Sequence, residues 1–174
     1  MNLRFYLALW AAKITGLVLK FRGGGSALPG LLALKLDQDF LKPFRSQFKQ
    51  GVILVSGTNG KTTTASLVTQ ILADQNLGVI HNSAGSNLQR GLASTLSAKA
   101  DLLGKVRADW GVFEVDEAAV PSIAKIFMPK AVILLNIFRD QLDRYGEIDA
   151  TADSWQTVLD NLDENSLINS CGIG

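Results

Sequence analysis

Val52-Ile53-Leu54-Val55-Ser56-Gly57-Thr58-Asn59-Gly60-Lys61-Thr62-Thr63-Thr64 decides the fold of this 174-residue chain. Four consecutive apolar residues read as a buried strand. The pattern from Ala65 to Leu72 is helical. Between them lies a turn with two glycines, a lysine and a hydroxyl residue at the helix start. That order builds a phosphate cradle. Small residues let main-chain N–H groups approach phosphate oxygens, and a helix N-terminus adds partial positive charge. Lys61 can reach β- and γ-phosphates, and the Thr62 hydroxyl can hold Mg²⁺. The usual loop has a glycine five residues before its second one; here that place is Val55, and Gly57 stands only three before Gly60. The loop is a shortened variant.

The remaining chain extends this unit in both directions. Strands are expected near 52–56, 78–81, 110–115 and 131–135, and helices near 61–75, 88–99, 117–127 and 150–162. Continuous apolar strands separated by helices imply a parallel sheet covered on both faces. The expected fold is therefore α/β, a P-loop-type parallel sheet flanked by helices behind a short helical N-terminal segment. Glu164 to Ile168 reads as the approach to another strand. The ending Cys171-Gly172-Ile173-Gly174 has no folding logic of its own and suggests a truncated chain.

At 47% hydrophobic residues the chain can bury a sizeable core. Its one cysteine, Cys171, excludes an internal disulfide framework and any cysteine-only metal site. Charge is uneven. Residues 1–50 carry eight Lys/Arg against two Asp/Glu, and residues 101–174 carry six against thirteen. The basic end could favour an anionic membrane surface, or the two ends could balance within one fold. No basic stretch interleaved with aromatics points to nucleic acid.

Leu3 to Phe21 is strongly apolar and punctuated by Arg4, Lys13 and Lys20. It could be an amphipathic helix packed on the protein or lying on a membrane, a purely structural helix, or a signal or spanning segment. Lys13 near its middle counts against spanning. Gly23-Gly24-Gly25-Ser26 breaks the pattern. Leu31 to Phe48 reads as one or two helices interrupted at Pro43.

Three further stretches carry candidate chemistry. Trp110 to Glu117 delivers acids at a strand's carboxyl end, where open α/β sheets bind ligands. Glu114 is the first candidate for Mg²⁺, with Asp116 and Glu117 as alternatives. Glu117 could instead serve the next helix N-terminus. Ala131 to Glu147 is a strand whose exit carries Asn136, Asp140 and Gln141, which could face a metal–phosphate group. His81 to Gly91 is a strand exit in which Asn87 could meet a phosphate or carboxylate. His81 is the only histidine, and such a strand histidine is more often structural than catalytic.

Together these stretches resemble the Mur ligase family, whose members activate a carboxylate as an acyl phosphate and couple it to an amine. IHNSAGSN, VFEVDEA, LNIFRDQLDRYGEID and the early Leu28-Pro29-Gly30 are most similar to the isoglutaminyl synthase branch. The resemblance implies that Gly57, Thr58, Asn59, Gly60, Lys61, Thr62 and Thr63 cradle ATP. It gives Thr62 and Glu114 to Mg²⁺ and Asn87 to the transferring phosphoryl. Lys61, Asn87 and Glu114 would be the catalytic set.

It also implies a domain division: a basic helical segment at 1–50 and a central ATP-binding domain at 51–174. The zinc ribbon and C-terminal ligase domain of that branch lie outside these residues. The implied activity is ATP-dependent amidation of the D-glutamate α-carboxylate of lipid II. Ammonia would come from a GatD-like glutamine amidotransferase subunit, at the cytoplasmic face of the membrane. Typical members carry Asp-His where this chain has Asp140-Gln141, and a downstream lysine where spacing reaches Gln156. No lysine follows Lys130, so a second metal held in the usual way is not expected. The other readings are a Mur or folylpolyglutamate-type amino-acid ligase, and a fragment that binds nucleotide without turnover.

Overall fold

The computed structural model describes residues 2–22, 27–82, 88–136, 155–156 and 167–170. Strands β1 (Phe48–Ser56), β2 (Val79–His81), β3 (Ala108–Glu114), β4 (Ala131–Leu134) and β5 (Leu167–Ser170) form one sheet in the order β2-β3-β1-β4-β5. All its pairings are parallel. The helices are α1 (Leu3–Arg22), α2 (Leu28–Leu36), α3 (Lys61–Asp74), α4 (Gln89–Lys99) and α5 (Val120–Phe127). Short 3₁₀ turns cover Lys42–Gln47 and Glu117–Ala119.

β1 lies between β3 and β4 at the centre of the sheet, and its side chains are buried on both faces. Ile53 and Val55 join Val112, Ala65, Val68 and Leu72 under α3. Val52 and Leu54 belong to the larger core with Phe113, Leu92, Leu96, Ile123 and Phe127. This two-residue alternation sorts the helices to the two faces. Burying each large apolar side chain contributes about 1.5–3 kcal/mol. The N-terminal helices share the larger core. Phe5 of α1 stacks on Phe40 with centroids 5.2 Å apart and meets Phe44 at 5.7 Å.

β1 begins at Phe48, four residues before its apolar run, and its register shifts between Phe48 and Gly51. This irregularity leaves Lys49 and Gln50 exposed and hides the strand's start from periodicity. The stretch from Leu31 to Phe48 resolves as α2, a 3₁₀ turn carrying Pro43, and the first residue of β1. The expected strand near residue 168 is β5. Of the expected helix at 150–162, only Trp155 and Gln156 are described, and both are helical. α1 packs Phe5, Ala8, Leu9 and Ala12 into the core. No helix among the described residues is long and apolar enough to cross a membrane.

The Leu28-Pro29-Gly30 segment has a packing reason. A Cβ on Gly30 would lie 1.8 Å from the Arg90 carbonyl oxygen and 2.5 Å from the Ser94 nitrogen. α2 and α4 thus touch backbone to backbone, and the Gly30 amide donates to Ser94 Oγ at 2.8 Å. Gly30→Ala should force the helices apart and cost about 1–3 kcal/mol. The thermal midpoint should fall by about 2–12 °C, as a calorimetric scan would measure.

Candidate functional site

The site forms where β1, β3 and β4 deliver their carboxyl ends. β1 stops at Ser56, whose buried hydroxyl donates to the Val115 carbonyl at 2.8 Å. The chain then turns through Gly57 to Gly60 into α3. Gly57 has φ 139°, and a Cβ there would sit 2.9 Å from both the amide nitrogen and the carbonyl oxygen of Asn136. Gly60, at φ 84°, is the N-cap of α3 and offers no side-chain cap. The first helical bond of α3 runs from the Thr64 amide to the Gly60 carbonyl, 2.9 Å. The amides just before Thr64 therefore have no acceptor within the helix and form a positively polarised end.

Register brings the acid to this end. Val55 pairs with Glu114, and Glu114 lies two residues beyond Val112 on the α3 face of β3. Its carboxylate thus meets the first turn of α3, where the Thr62 hydroxyl donates to Glu114 Oε1 at 3.0 Å. Glu114 is only 3% exposed. Its main chain is held by Asn82, which is fully buried. The Glu114 amide donates to Asn82 Oδ1 and the Asn82 Nδ2 donates to the Glu114 carbonyl, each at 2.8 Å.

Glu114 Oε2 is buried and meets no hydrogen-bond donor among the described residues. A buried carboxylate oxygen left unmatched is costly, and a divalent cation beside the Thr62 hydroxyl suits this donor pair. Mg²⁺ is commonly bound by one or two protein oxygens together with phosphates and water. Among the described residues no group of three or more His, Cys, Asp or Glu could hold a metal.

The Lys61 ammonium donates to the carbonyls of Gly57 and Thr58. It lies 3.6 Å from Glu117 Oε2. Glu117 sits on a 3₁₀ turn pinned by Trp155, whose indole N–H donates to the Glu117 carbonyl at 3.0 Å. Of the three acids at the end of β3, Glu114 faces Thr62, Glu117 faces Lys61, and Asp116 is the N-cap of that turn.

Gly57, Thr58, Asn59, Gly60, Lys61, Thr62 and Thr63 form the loop and first turn. Two of their amides point elsewhere than a phosphate. The Thr58 amide donates to the Asn136 carbonyl at 2.8 Å, and the Asn59 amide to Asn136 Oδ1 at 2.9 Å. Asn136 Nδ2 returns a bond to the Asn59 carbonyl at 3.2 Å. The exit of β4 beside β1 thus makes Asn136 a clamp on the loop's outer half. Asn87, Asp140 and Gln141 lie outside the described residues, and Gln156 is exposed. Sequence reasoning missed Asn82; its signal was a polar residue directly after the apolar strand Val79–His81.

This fold and loop define a P-loop-type α/β domain with a carboxylate facing the hydroxyl of the helix start. The chain belongs to the Mur ligase family: residues 55–170 match the Mur ligase middle domain. It is similar to the lipid II isoglutaminyl synthase (glutamine-hydrolyzing) subunit MurT of Streptococcus pneumoniae, with 41% identity over 161 residues. That match covers 92% of this chain and 34% of the relative. The MurT subunit of Staphylococcus aureus is 35% identical over 84% of this chain and 32% of its own length. The chain therefore spans about a third of the length of these curated relatives. In fold it is similar to the MurF ligase of Thermotoga maritima solved with ADP, at a TM-score of 0.64 and 18% identity. That match covers 79% of this chain and 32% of the other.

Two outcomes follow from this geometry. Asn136→Ala removes both side-chain bonds to Asn59 and should cost about 1–3 kcal/mol, measured by denaturant unfolding. His81 supplies a pH dependence. Burial lowers its pKa below the usual 6.5, with the Glu114 carboxylate partly offsetting this, and its buried Nε2 has no hydrogen-bond partner among the described residues. The unfolded chain therefore binds this proton more readily than the folded one. His81's contribution is fully present above about pH 6.5 and is lost as pH falls below it. Unfolding free energies between pH 7.5 and 5 should decline with falling pH, and His81→Phe should flatten the decline.

Proposed function

We propose that this chain is the ATP-binding part of a peptidoglycan-synthesis ligase. It would amidate the α-carboxylate of D-glutamate in the lipid II stem peptide, at the cytoplasmic side of the membrane. The observation that carries this reading is Glu114, buried at the mouth of the phosphate loop with one oxygen on the Thr62 hydroxyl and the other without a donor among the described residues. Similarity to two MurT subunits supports the choice of substrate and of an ammonia-delivering, GatD-like glutamine amidotransferase partner. We assign the helices before β1 to an N-terminal segment and the chain from β1 onward to the nucleotide-binding domain; the expected boundary at residues 50 and 51 moves to Phe48, where β1 starts.

In this reading the α3 amides and Lys61 hold the β- and γ-phosphates, so the ammonium must leave its present carbonyl acceptors and Glu117. Thr62 and Glu114 would hold magnesium, which supplies neutralisation of phosphate charge. The substrate carboxylate oxygen attacks the γ-phosphorus, the bond to the β-bridging oxygen breaks, and ADP departs. Ammonia then attacks the acyl carbon of the acyl phosphate, inorganic phosphate departs, and a proton goes to solvent. Asn87 is assigned to the transferring phosphoryl group. Phosphoryl transfer needs chiefly positioning and charge stabilisation, and no side-chain nucleophile is required.

Lys61→Ala should weaken binding of ATP with Mg²⁺ by about 10–100-fold, the loss of one charge-assisted contact. Isothermal titration of both proteins tests this; unchanged affinity contradicts the assignment. Residues 1–174 alone should bind nucleotide without forming amide, even with lipid II and a glutaminase supplied. Amide formation by this chain alone would place the whole reaction within it.

A further inference from the structure

α1 is apolar on two opposite sides. Phe5, Ala8, Leu9 and Ala12 are buried in the core. Leu3, Leu7, Trp10, Ile14 and Leu17 recur at alternating spacings of four and three, and all are exposed; Ile14 is 63% and Leu17 59% exposed. At 3.6 residues per turn this stripe lies about 180° around the helix from the buried one. The Trp10 indole N–H donates to the Leu102 carbonyl at 3.1 Å. That contact sets Leu102 and Leu103, 69% and 60% exposed, beside the stripe. An apolar face of this extent marks an interaction surface.

The charges on α1 itself have one sign. α1 contains no acidic residue. Arg4 and Lys20 are exposed on opposite borders of the stripe, and Lys13 donates to the Ala100 carbonyl at the end of α4. Asp101 is the acid beside Leu102. Its carboxylate already accepts the amides of Leu103 and Lys105, at 2.8 and 2.9 Å. Lys105 and Arg107 both act on it electrostatically. A second copy of α1 on this stripe would bring basic borders together with no acid to match them, unlike a coiled-coil seam. Phospholipid headgroups of negative charge complement those borders, and acyl chains complement the stripe.

We propose that the outer face of α1, with Leu102 and Leu103, docks this protein on an anionic membrane surface. Trp10 would lie at the headgroup level. The helix lies along the surface and does not enter the bilayer as a span. This inference stands on α1 and the neighbouring Leu102 and Leu103 and does not depend on the ligase reading.

Co-sedimentation with vesicles tests it, using phosphatidylcholine alone and phosphatidylcholine containing phosphatidylglycerol. Binding should be at least about tenfold tighter on the anionic vesicles and should weaken as salt shortens the screening length. Ile14→Asn with Leu17→Asn should reduce binding about tenfold at unchanged circular dichroism, since both side chains already meet solvent. Arg4→Gln with Lys20→Gln should remove the preference for anionic lipid. Equal binding to both vesicle types, no binding to either, or variants that bind like the parent overturn the proposal. Concentration-dependent dimerisation abolished by Ile14→Asn with Leu17→Asn would give this face to a second copy instead, and also overturns it.

Discussion

One contact organises the site: the Thr62 hydroxyl against the buried Glu114 carboxylate, 3.0 Å across the end of the sheet. It joins the first turn of α3 to the last residue of β3, two elements far apart in sequence. The contact exists because β1 and β3 are parallel neighbours with Val55 opposite Glu114. A slip of one residue would turn the carboxylate to the other face of the sheet, away from α3. Burial makes the arrangement demanding. A carboxylate removed from water must find donors or a cation; among the described residues Oε1 has one donor and Oε2 has none. The unmatched oxygen marks where the protein is arranged for a ligand rather than for its own stability.

The surrounding polar groups serve that contact. Asn82 pairs with the Glu114 main chain through both of its amide atoms, extending the β2–β3 ladder beyond His81 and Val112 by a side chain. Ser56 ties the end of β1 to Val115. Asn136 grips the far side of the loop, using the close approach that Gly57 permits. Lys61, facing Glu117 and two loop carbonyls, occupies the near side. The ends of β1, β2 and β4 thus each contribute one fixed polar group, and Asn136 and Lys61 hold the loop on its two sides.

Much of this was legible in the sequence because local signals agreed with tertiary ones. The apolar run before Gly57, the lysine and the threonines specify a strand, a turn and a helix start by themselves. Glu114 was legible as an acid ending an apolar strand. Other features depend on partners distant in the chain. Asn136 reads as one polar residue among many at a strand exit, and only the β1–β4 pairing turns it into a clamp. Asn82 was passed over because its role rests on a ladder with β3 that no local pattern announces. The start of β1 was hidden by the shift between Phe48 and Gly51. α1 was ambiguous for a plain reason: a helix apolar on two opposite sides has little directional signal, so which side faces the core is decided by Phe40 and Phe44.

The central claim is that Glu114 and Thr62 together receive the cation that accompanies a triphosphate. Calorimetric titration of ATP into the parent chain and Glu114→Gln, each with and without Mg²⁺, tests it most directly. The account predicts that Mg²⁺ tightens ATP binding to the parent by about tenfold or more. Glu114→Gln should bind metal-free ATP like the parent and lose that gain. A variant that keeps the full Mg²⁺ enhancement would contradict the account.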